Sequence, residues 1–136
     1  MKVALDTNVV VSGLLRPFGS PAEIVRMMSS GVLTVCYDAR ILVEYREVLL
    51  RPKFRLEVIY IDALLDQIKA EGSLVVTKPL AAPLPDMDDE MFLEVAIAGN
   101  VRCLVTGNLK HYPPSKRQGI SVVSPREFLE ICRREI

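Results

Sequence analysis

The chain has 136 residues, 50% of them hydrophobic, and its 17 basic and 17 acidic side chains leave no net charge. This length and composition suit one domain with a sizeable core, so we expect a single domain over residues 1–136 and exclude a disordered chain. The balanced charge excludes a global field that recruits nucleic acid, and any such partner would require local basic patches. No apolar run approaches the length of a membrane span, so no membrane partner is expected.

The cysteine content favours a reducing compartment. Cys36, Cys103 and Cys132 are odd in number, far apart in the sequence and set in apolar segments. We therefore expect buried, reduced thiols and a cytoplasmic location. No Cys/His spacing suggests zinc, and Asp6 interrupts the N-terminal apolar run, so no signal peptide is expected.

Apolar segments and turn residues predict strands that alternate with helices along the chain. We predict strands over residues 2–5, 33–37, 74–77, 102–106 and 120–123. We predict helices over residues 8–15, 21–31, 39–50, 56–71 and 86–99, and a last one from residue 125. Ser20 is predicted to cap the second helix, with Glu23 completing a capping box, and Asp38 to cap the third. The alternation predicts the α/β class, with a parallel sheet between helices on both faces.

Three carboxylates are expected at one edge of this sheet. Asp6 directly follows the first strand, at the carboxyl edge where open α/β sheets bind ligands. Glu44 lies about 60° around its helix from the apolar Ile41, so it flanks the buried face. Asp89 precedes Phe92 by three residues and therefore shares the core-facing side of its helix. Capping and the helix dipole explain acids at a helix N-terminus in general, yet they explain an inward-facing Asp89 poorly.

Such a group of acids indicates a divalent cation. Crowded carboxylates repel one another and are costly to keep ionised without a compensating charge. Oxygen ligands favour Mg²⁺ or Mn²⁺ over zinc or copper, and these ions can polarise a phosphodiester. Asn108, after the fourth predicted strand, is a further oxygen ligand candidate, and Thr7 and Thr106 occupy matching strand ends where they can donate hydrogen bonds. The sequence has no Walker-type loop and no dinucleotide-binding glycine fingerprint.

Four short motifs carry a family resemblance that covers nearly the whole chain. They are residues 5–8, Glu44, Asp89 with Ala96 seven residues later, and residues 104–108. In this order and spacing they resemble the PIN-domain family, metal-dependent ribonucleases that include the VapC toxins of bacterial and archaeal toxin–antitoxin systems. The segment 105–113 looks like the branch of that family described as a toxin component.

The resemblance implies a fold, a metal and a substrate. It implies a three-layer α/β/α fold with a central parallel five-stranded sheet in the order 3-2-1-4-5. Asp6, Glu44 and Asp89 would bind the catalytic Mg²⁺ or Mn²⁺, and the reaction would be hydrolysis of RNA phosphodiester bonds. The family commonly has an aspartate where this chain has Asn108, which keeps a carbonyl oxygen but carries no charge. The implied partners are an RNA substrate, an antitoxin protein and a second copy of the chain.

Further residues are expected around this site. Small polar side chains at the strand ends are expected to support the acids: Thr7, Asn8 and Thr106. Basic side chains near the mouth of the site are expected to contact RNA phosphates: Arg40, Arg51 and Lys110. His111 is interpreted as a surface residue of a loop rather than as a catalytic base.

Two other interpretations stay open at this point. One is a catalytically silent PIN module that binds RNA or protein, which the uncharged Asn108 favours. The other is a phosphate enzyme, such as a receiver or a phosphatase, with Asp6 as phosphoryl acceptor. A haloacid-dehalogenase pattern requires a second acid two residues later, where this chain has Asn8. A receiver would have a lysine after the last strand, where Ser124 and Pro125 stand instead.

Overall fold

A computed structural model of the chain describes residues 1–135, and Ile136, the last residue of the predicted 1–136 domain, lies outside the described residues. The strands within this range are β1 (Lys2–Leu5), β2 (Thr34–Tyr37), β3 (Ser73–Leu74), β4 (Cys103–Val105) and β5 (Val122–Val123). The α-helices there are α1 (Thr7–Leu15), α2 (Ser20–Ser29), α3 (Ala39–Leu49), α4 (Val58–Glu71), α5 (Glu90–Gly99) and α6 (Pro125–Glu135).

The five strands form one parallel sheet in the order β3-β2-β1-β4-β5. The α/β class and the predicted order are therefore confirmed. The central strand β1 pairs with β2 on one side and β4 on the other, so Val3 stands opposite both Val35 and Cys103. Val3, Ala4 and Leu5 are at most 1% exposed. An apolar strand covered on both faces is the arrangement that the uninterrupted apolar run before Asp6 predicts.

Helices cover the sheet and complete the core. Helix α5 packs on β1, β2 and β4, and α6 packs on β4. Phe92, Leu93 and Phe128 are at most 1% exposed between helix and sheet. The three cysteines are free thiols and all are buried, as predicted. Among the described residues, no helix is both long and apolar enough to span a bilayer.

The third strand is shorter than predicted and begins one residue earlier. Residues 74–77 are predicted as a strand, but pairing is limited to Ser73 and Leu74 against the end of β2. One more hydrogen bond, from Val75 N to Tyr37 O at 3.0 Å, follows them. Val76 is 93% exposed, because the chain has left the sheet where β2 ends. An apolar segment at an edge cannot continue as a strand without a partner. The other predicted strands differ by one or two residues at their ends.

The predicted cap of the second helix is wrong, whereas that of the third is confirmed. Helix α2 begins at Ser20 itself, its cap is Gly19, and no side chain caps it. Gly19 has a φ of 108°, which a glycine adopts without strain, so the chain turns into the helix one residue earlier than Ser20 would allow. Asp38 Oδ1 accepts a hydrogen bond from Ile41 N at 3.1 Å and caps α3.

The predicted helix over residues 86–99 is also divided. Residues Met87–Asp89 form a 3-10 turn, and α5 proper starts at Glu90. Asp86 caps the turn, since its Oδ1 accepts a hydrogen bond from Asp88 N at 2.9 Å. The tighter turn matters for the site because it sets the position of Asp89, its last residue.

We expect Gly99→Ala to lower the free energy of unfolding. Gly99 is the buried last residue of α5, and a Cβ there would lie 2.7 Å from Cys36 Sγ. Helix propensity would favour alanine by roughly 1 kcal/mol, whereas overpacking costs about 1–3 kcal/mol, so the net effect is a loss. Urea denaturation measures it. The double variant Gly99→Ala/Cys36→Ala removes the clash and should recover more than the additive sum, and a single variant as stable as the parent would contradict the packing argument.

Candidate metal centre

Asp6 lies where β1 ends, held by the strand beside it. Its backbone N donates to Val105 O at 2.9 Å, which continues the β1–β4 pairing one residue beyond the strand. Its side chain is buried, and one oxygen, Oδ2, accepts hydrogen bonds from Thr106 Oγ1 at 2.9 Å and Tyr112 Oη at 3.1 Å. Thr106 thus donates to a carboxylate, as its strand-end position predicts. Two donors on one oxygen fix the direction in which the carboxylate points.

Glu44 reaches the same edge from α3. The Thr7 hydroxyl, in the first turn of α1, donates to Glu44 Oε2. The next residue, Tyr45, is fully buried, and its hydroxyl donates to Leu5 O in β1. Its ring also stacks on Phe92 with a centroid distance of 6.4 Å. These contacts anchor α3 to β1 and α5, so Glu44 is placed by a rigid helix.

Asp89 enters the site from the 3-10 turn before α5. It is 8% exposed, which confirms that it faces inward. His111 Nδ1 lies 2.8 Å from Asp89 Oδ2. The ring nitrogen is not aligned for a hydrogen bond, so Asp89 Oδ2 is a buried oxygen with no hydrogen-bond partner. An unpartnered buried oxygen of this kind points to a ligand that the protein is built to receive.

The structure brings the three predicted acids to one cleft. The cleft has a volume of about 350 Å³, and Asp6, Glu44 and Asp89 line it together with His111. Their assignment as metal ligands stays a prediction. Within the described residues, the ligand-type atoms that all lie within 4.8 Å of one another belong to a different set, Asp86, Asp89 and His111. Asp89 is common to both groups.

Asn108 and Asn8 lie beside this cleft and line a neighbouring one. The Asn8 side chain accepts a hydrogen bond from Gly107 N at 2.8 Å, which ties the start of α1 to the loop after β4. Asn108 N donates to Thr106 Oγ1 at 3.0 Å, and its side chain lies 2.8 Å from His111 Nε2. Asn108 therefore contacts the acids through His111 rather than directly.

Burial and mutual repulsion raise the pKa values of all three carboxyls. Burial is the largest cause at Asp6, where the hydrogen bonds from Thr106 and Tyr112 lower the pKa again. Burial raises the pKa of Glu44, the bond from Thr7 lowers it, and the charge on Asp6 raises it further. Burial and then the Asp6 charge raise the pKa of Asp89 from 3.8 to about 6. The three groups are costly to ionise together, so the cleft lacks positive charge.

The donor chemistry fits a hard divalent cation. Carboxylate oxygens are the ligands that Mg²⁺ and Mn²⁺ prefer, and a cation would offset the repulsion that raises the three pKa values. The unpartnered Asp89 Oδ2 supplies a lone pair that nothing in the described chain uses. Thr7, Thr106 and Tyr112 hold the carboxylates from outside, which is the usual arrangement around metal ligands.

The three predicted RNA-contacting residues differ in how free their charges are. Arg40 is tied to Asp38 at 2.7 Å and to Glu94 at 2.8 Å. Arg51, after α3, and Lys110, in the 3-10 turn Leu109–His111, are both exposed. Their contacts with RNA stay a prediction, and the pairing of Arg40 leaves Arg51 and Lys110 as the freer charges.

Sequence reasoning missed two residues of the site. His111 is interpreted from the sequence as a surface residue of a loop, yet it lies against Asp89, and Tyr112 is fully buried against Asp6. The available signal was position. Both residues follow a parallel strand whose carboxyl end lies at the same edge as Asp6, although the sequence gives no sign that the loop folds back over that edge.

We expect Asp89→Asn to change how the stability of the metal-free protein depends on pH. The pKa of Asp89 is about 6 in the folded state against an ordinary 3.8, so the stability that its neutral form contributes is complete below 3.8 and is lost as the pH rises through 6. The variant has no charge to bury. Its melting temperature in the presence of a chelator should exceed that of the parent at neutral pH, by a margin that shrinks under acidic conditions. A margin that is the same at every pH would contradict the assignment.

Comparisons with known proteins identify the family. A family model described as PIN domain matches residues 2–110. The structure of FitAcB from Neisseria gonorrhoeae is similar, with a TM-score of 0.59 and 17% identity over 91% of this chain and 98% of that one. VapBC2 from Rickettsia felis, bound to a DNA fragment from its promoter, gives a TM-score of 0.58 and 16% identity over 91% and 98%. No curated protein sequence matches the chain. At these identities the two structures show likeness of fold alone, but the family model spans most of the sequence, and the chain therefore belongs to the PIN-domain family.

Proposed function

We propose that this protein is an endoribonuclease that requires Mg²⁺ or Mn²⁺ and hydrolyses RNA phosphodiester bonds. The observation that carries the proposal is the meeting of Asp6, Glu44 and Asp89 in one cleft, with burial and repulsion raising the pKa of each. Carboxylates collected at this cost are typical of sites that hold a cation for phosphoryl chemistry. Membership of the PIN-domain family supports the same reaction class.

The residues of the chain have distinct parts in this reaction. Asp6, Glu44 and Asp89 would hold the divalent ion, which when bound supplies Lewis-acid polarisation of the phosphodiester. Thr106 and Tyr112 direct the Asp6 carboxylate through hydrogen bonds to its Oδ2. Burial raises the pKa of Tyr112, so its phenol keeps the proton that it donates. The exposed charges of Arg51 and Lys110 would contact the RNA backbone.

We also propose that the protein is the toxin component of a toxin–antitoxin system and acts in the cytoplasm. The similar structures are of FitAcB and of VapBC2 with promoter DNA, and the VapC toxins are PIN-domain ribonucleases. By this proposal an antitoxin protein binds the chain and restrains cleavage. The buried free thiols support a reducing compartment.

The silent PIN module is the second candidate, and Asn108 favours it. Asn108 contributes no charge, and its side chain lies against His111 rather than in the acidic cleft. A module of this kind would bind RNA without cleaving it. Cleavage by purified protein separates the two candidates, and Asn108→Asp is the substitution to test for gained activity if the parent is inactive.

Asp6→Asn is the test of the nuclease proposal. Asparagine keeps the volume but removes the charge that would hold the metal. We expect Mn²⁺-dependent cleavage of single-stranded RNA to fall about 100-fold or more, since even residues that only orient ligands cost about 10- to 100-fold. Without metal, the melting temperature should hold or rise because repulsion is relieved. Mn²⁺ should stabilise the parent and affect the variant much less.

The matched control is Asp88→Asn. Asp88 is an exposed acid of the same 3-10 turn that holds Asp89, and it lines no part of the cleft that contains Asp6. It removes one charge near the site but no proposed ligand, so cleavage should stay within a few-fold of the parent. Cleavage by Asp6→Asn at the parent rate, or unfolding of that variant, would refute the metal role of Asp6.

We further propose a homodimer. Val58, Ile59 and Tyr60 begin α4 with side chains 50%, 71% and 69% exposed. Adjacent exposed apolar side chains favour an interface with a second copy. Light scattering should give about twice the 15.2 kDa chain mass. Ile59→Lys should give the single-chain mass without lowering the melting temperature, whereas Val76→Lys, at an exposed position elsewhere, should leave the dimer intact. A parent that is monomeric at tens of micromolar would contradict the dimer.

A further inference from the structure

We propose that Asp86, Asp89 and His111 form a second cation position with a mixed oxygen and nitrogen donor set, which prefers Mn²⁺ to Mg²⁺. The inference deepens the proposed function, on which its catalytic meaning rests. It differs from the predicted acidic trio in using an imidazole and in lying on the side of Asp89 that faces the loop after β4. The matched family model ends at residue 110, so His111 lies beyond it.

The first support is the convergence of three unlike donors. Asp86 and Asp89 come from the start and end of one tight turn, and His111 comes from the 3-10 turn after β4. One ligand-type atom from each lies within 4.8 Å of the other two. Asp86 is held in place because its Oδ1 accepts a hydrogen bond from Asp88 N at 2.9 Å. The three residues are therefore gathered before any ion is present.

The second support is the unpartnered oxygen of Asp89. The residue is 92% buried, since its exposed fraction is 8%, and its Oδ2 has no hydrogen-bond partner. His111 Nδ1 is 2.8 Å away but misaligned. A simple ion pair would align the ring N–H with the oxygen, because hydrogen bonds weaken steeply below about 120°. Two ligands of one cation do not point at each other: bonds of about 2.1 Å at right angles leave the two donors about 3 Å apart.

Asn108 is the positioning residue for this site. If His111 Nδ1 binds the cation, the ring proton is on Nε2 and requires an acceptor. The Asn108 amide lies 2.8 Å from Nε2, and a 180° rotation of that amide brings its oxygen to the ring. A carbonyl on the far nitrogen of a ligating histidine is a common arrangement. Asn108 N is itself fixed by Thr106 Oγ1 at 3.0 Å, so the support continues to the residue that holds Asp6.

The donor set determines which ion is preferred. Carboxylates alone accept Mg²⁺ readily, whereas an imidazole ligand suits first-row transition ions and is a poor choice for Mg²⁺. Asp6 and Glu44 would hold either ion. The position at Asp86, Asp89 and His111 should take up Mn²⁺ while Mg²⁺ leaves it nearly empty. Asp89 would be shared by both positions.

The first test is Mn²⁺ binding to the full chain, followed by calorimetry and pulsed electron paramagnetic resonance. The parent should bind Mn²⁺ with a nitrogen hyperfine coupling from the imidazole, and excess Mg²⁺ should displace only the Mn²⁺ that lacks this coupling. Mn²⁺ bound to the parent without any nitrogen coupling would overturn the proposal. This arm requires no variant and therefore does not depend on a substitution that folds.

The second test uses His111→Gln and Asp86→Asn, with Asp88→Asn as the matched control. Each of the first two should weaken the nitrogen-coupled Mn²⁺ site about tenfold or more, and Mg²⁺ affinity should change much less. Asp88→Asn should titrate like the parent. His111→Phe keeps the ring shape and repeats the test if His111→Gln is poorly folded. Parent-like Mn²⁺ binding by a folded His111 variant would overturn the proposal.

Failure of this inference and failure of the proposed function give different results. RNA cleavage that requires Asp6, with no nitrogen coupling, overturns the second cation position and leaves the nuclease. Nitrogen coupling that depends on His111, with no cleavage of any RNA, supports the cation position and counts against the nuclease. Asp6→Asn should keep the nitrogen-coupled Mn²⁺, because Asp6 is outside the second position.

Discussion

Parallel pairing of β1 on both of its sides is the constraint on which the site depends. Val3 is paired with Val35 and Cys103, and the hydrogen bond from Asp6 N to Val105 O at 2.9 Å extends the pairing past the end of the strand. A central strand cannot shift without exposing its apolar side chains and breaking two ladders. The backbone of Asp6 is therefore fixed, and the elements that meet it, from the start of α1 to the loop after β4, take their positions from it.

The acids at this edge place the interests of folding and binding in opposition. Burying carboxylates together is unfavourable, as the raised pKa values of Asp6, Glu44 and Asp89 indicate, and the core of the domain has to offset that cost. A ligand that neutralises them binds the folded chain only, so the unfavourable charge becomes binding energy. Sites that do chemistry are commonly the least stable part of a fold for this reason.

The hydrogen-bond network explains how small polar residues are used. Thr7 and Thr106 come from the ends of neighbouring strands, and each donates to a different acid, Glu44 and Asp6. Thr106 also accepts from Asn108 N at 3.0 Å, so its hydroxyl connects the Asp6 carboxylate with the loop that carries His111. One residue thus links the two sides of the site, and the geometry at Asp6 and that at His111 are not independent.

The sequence by itself determined the α/β class, the strand order through the family resemblance, the inward direction of Asp89 and the edge at which Asp6 lies. These features follow from local periodicity and from the rule that parallel strands end together. Only the tertiary structure decided that β3 stops at Leu74, that Gly19 caps α2, and that His111 and Tyr112 fold back onto the acids. Strand length at an edge depends on a partner, and the path of a loop depends on which distant polar atoms it satisfies. Neither is encoded in the spacing of neighbouring residues, because both are settled by contacts between segments that lie far apart in the chain.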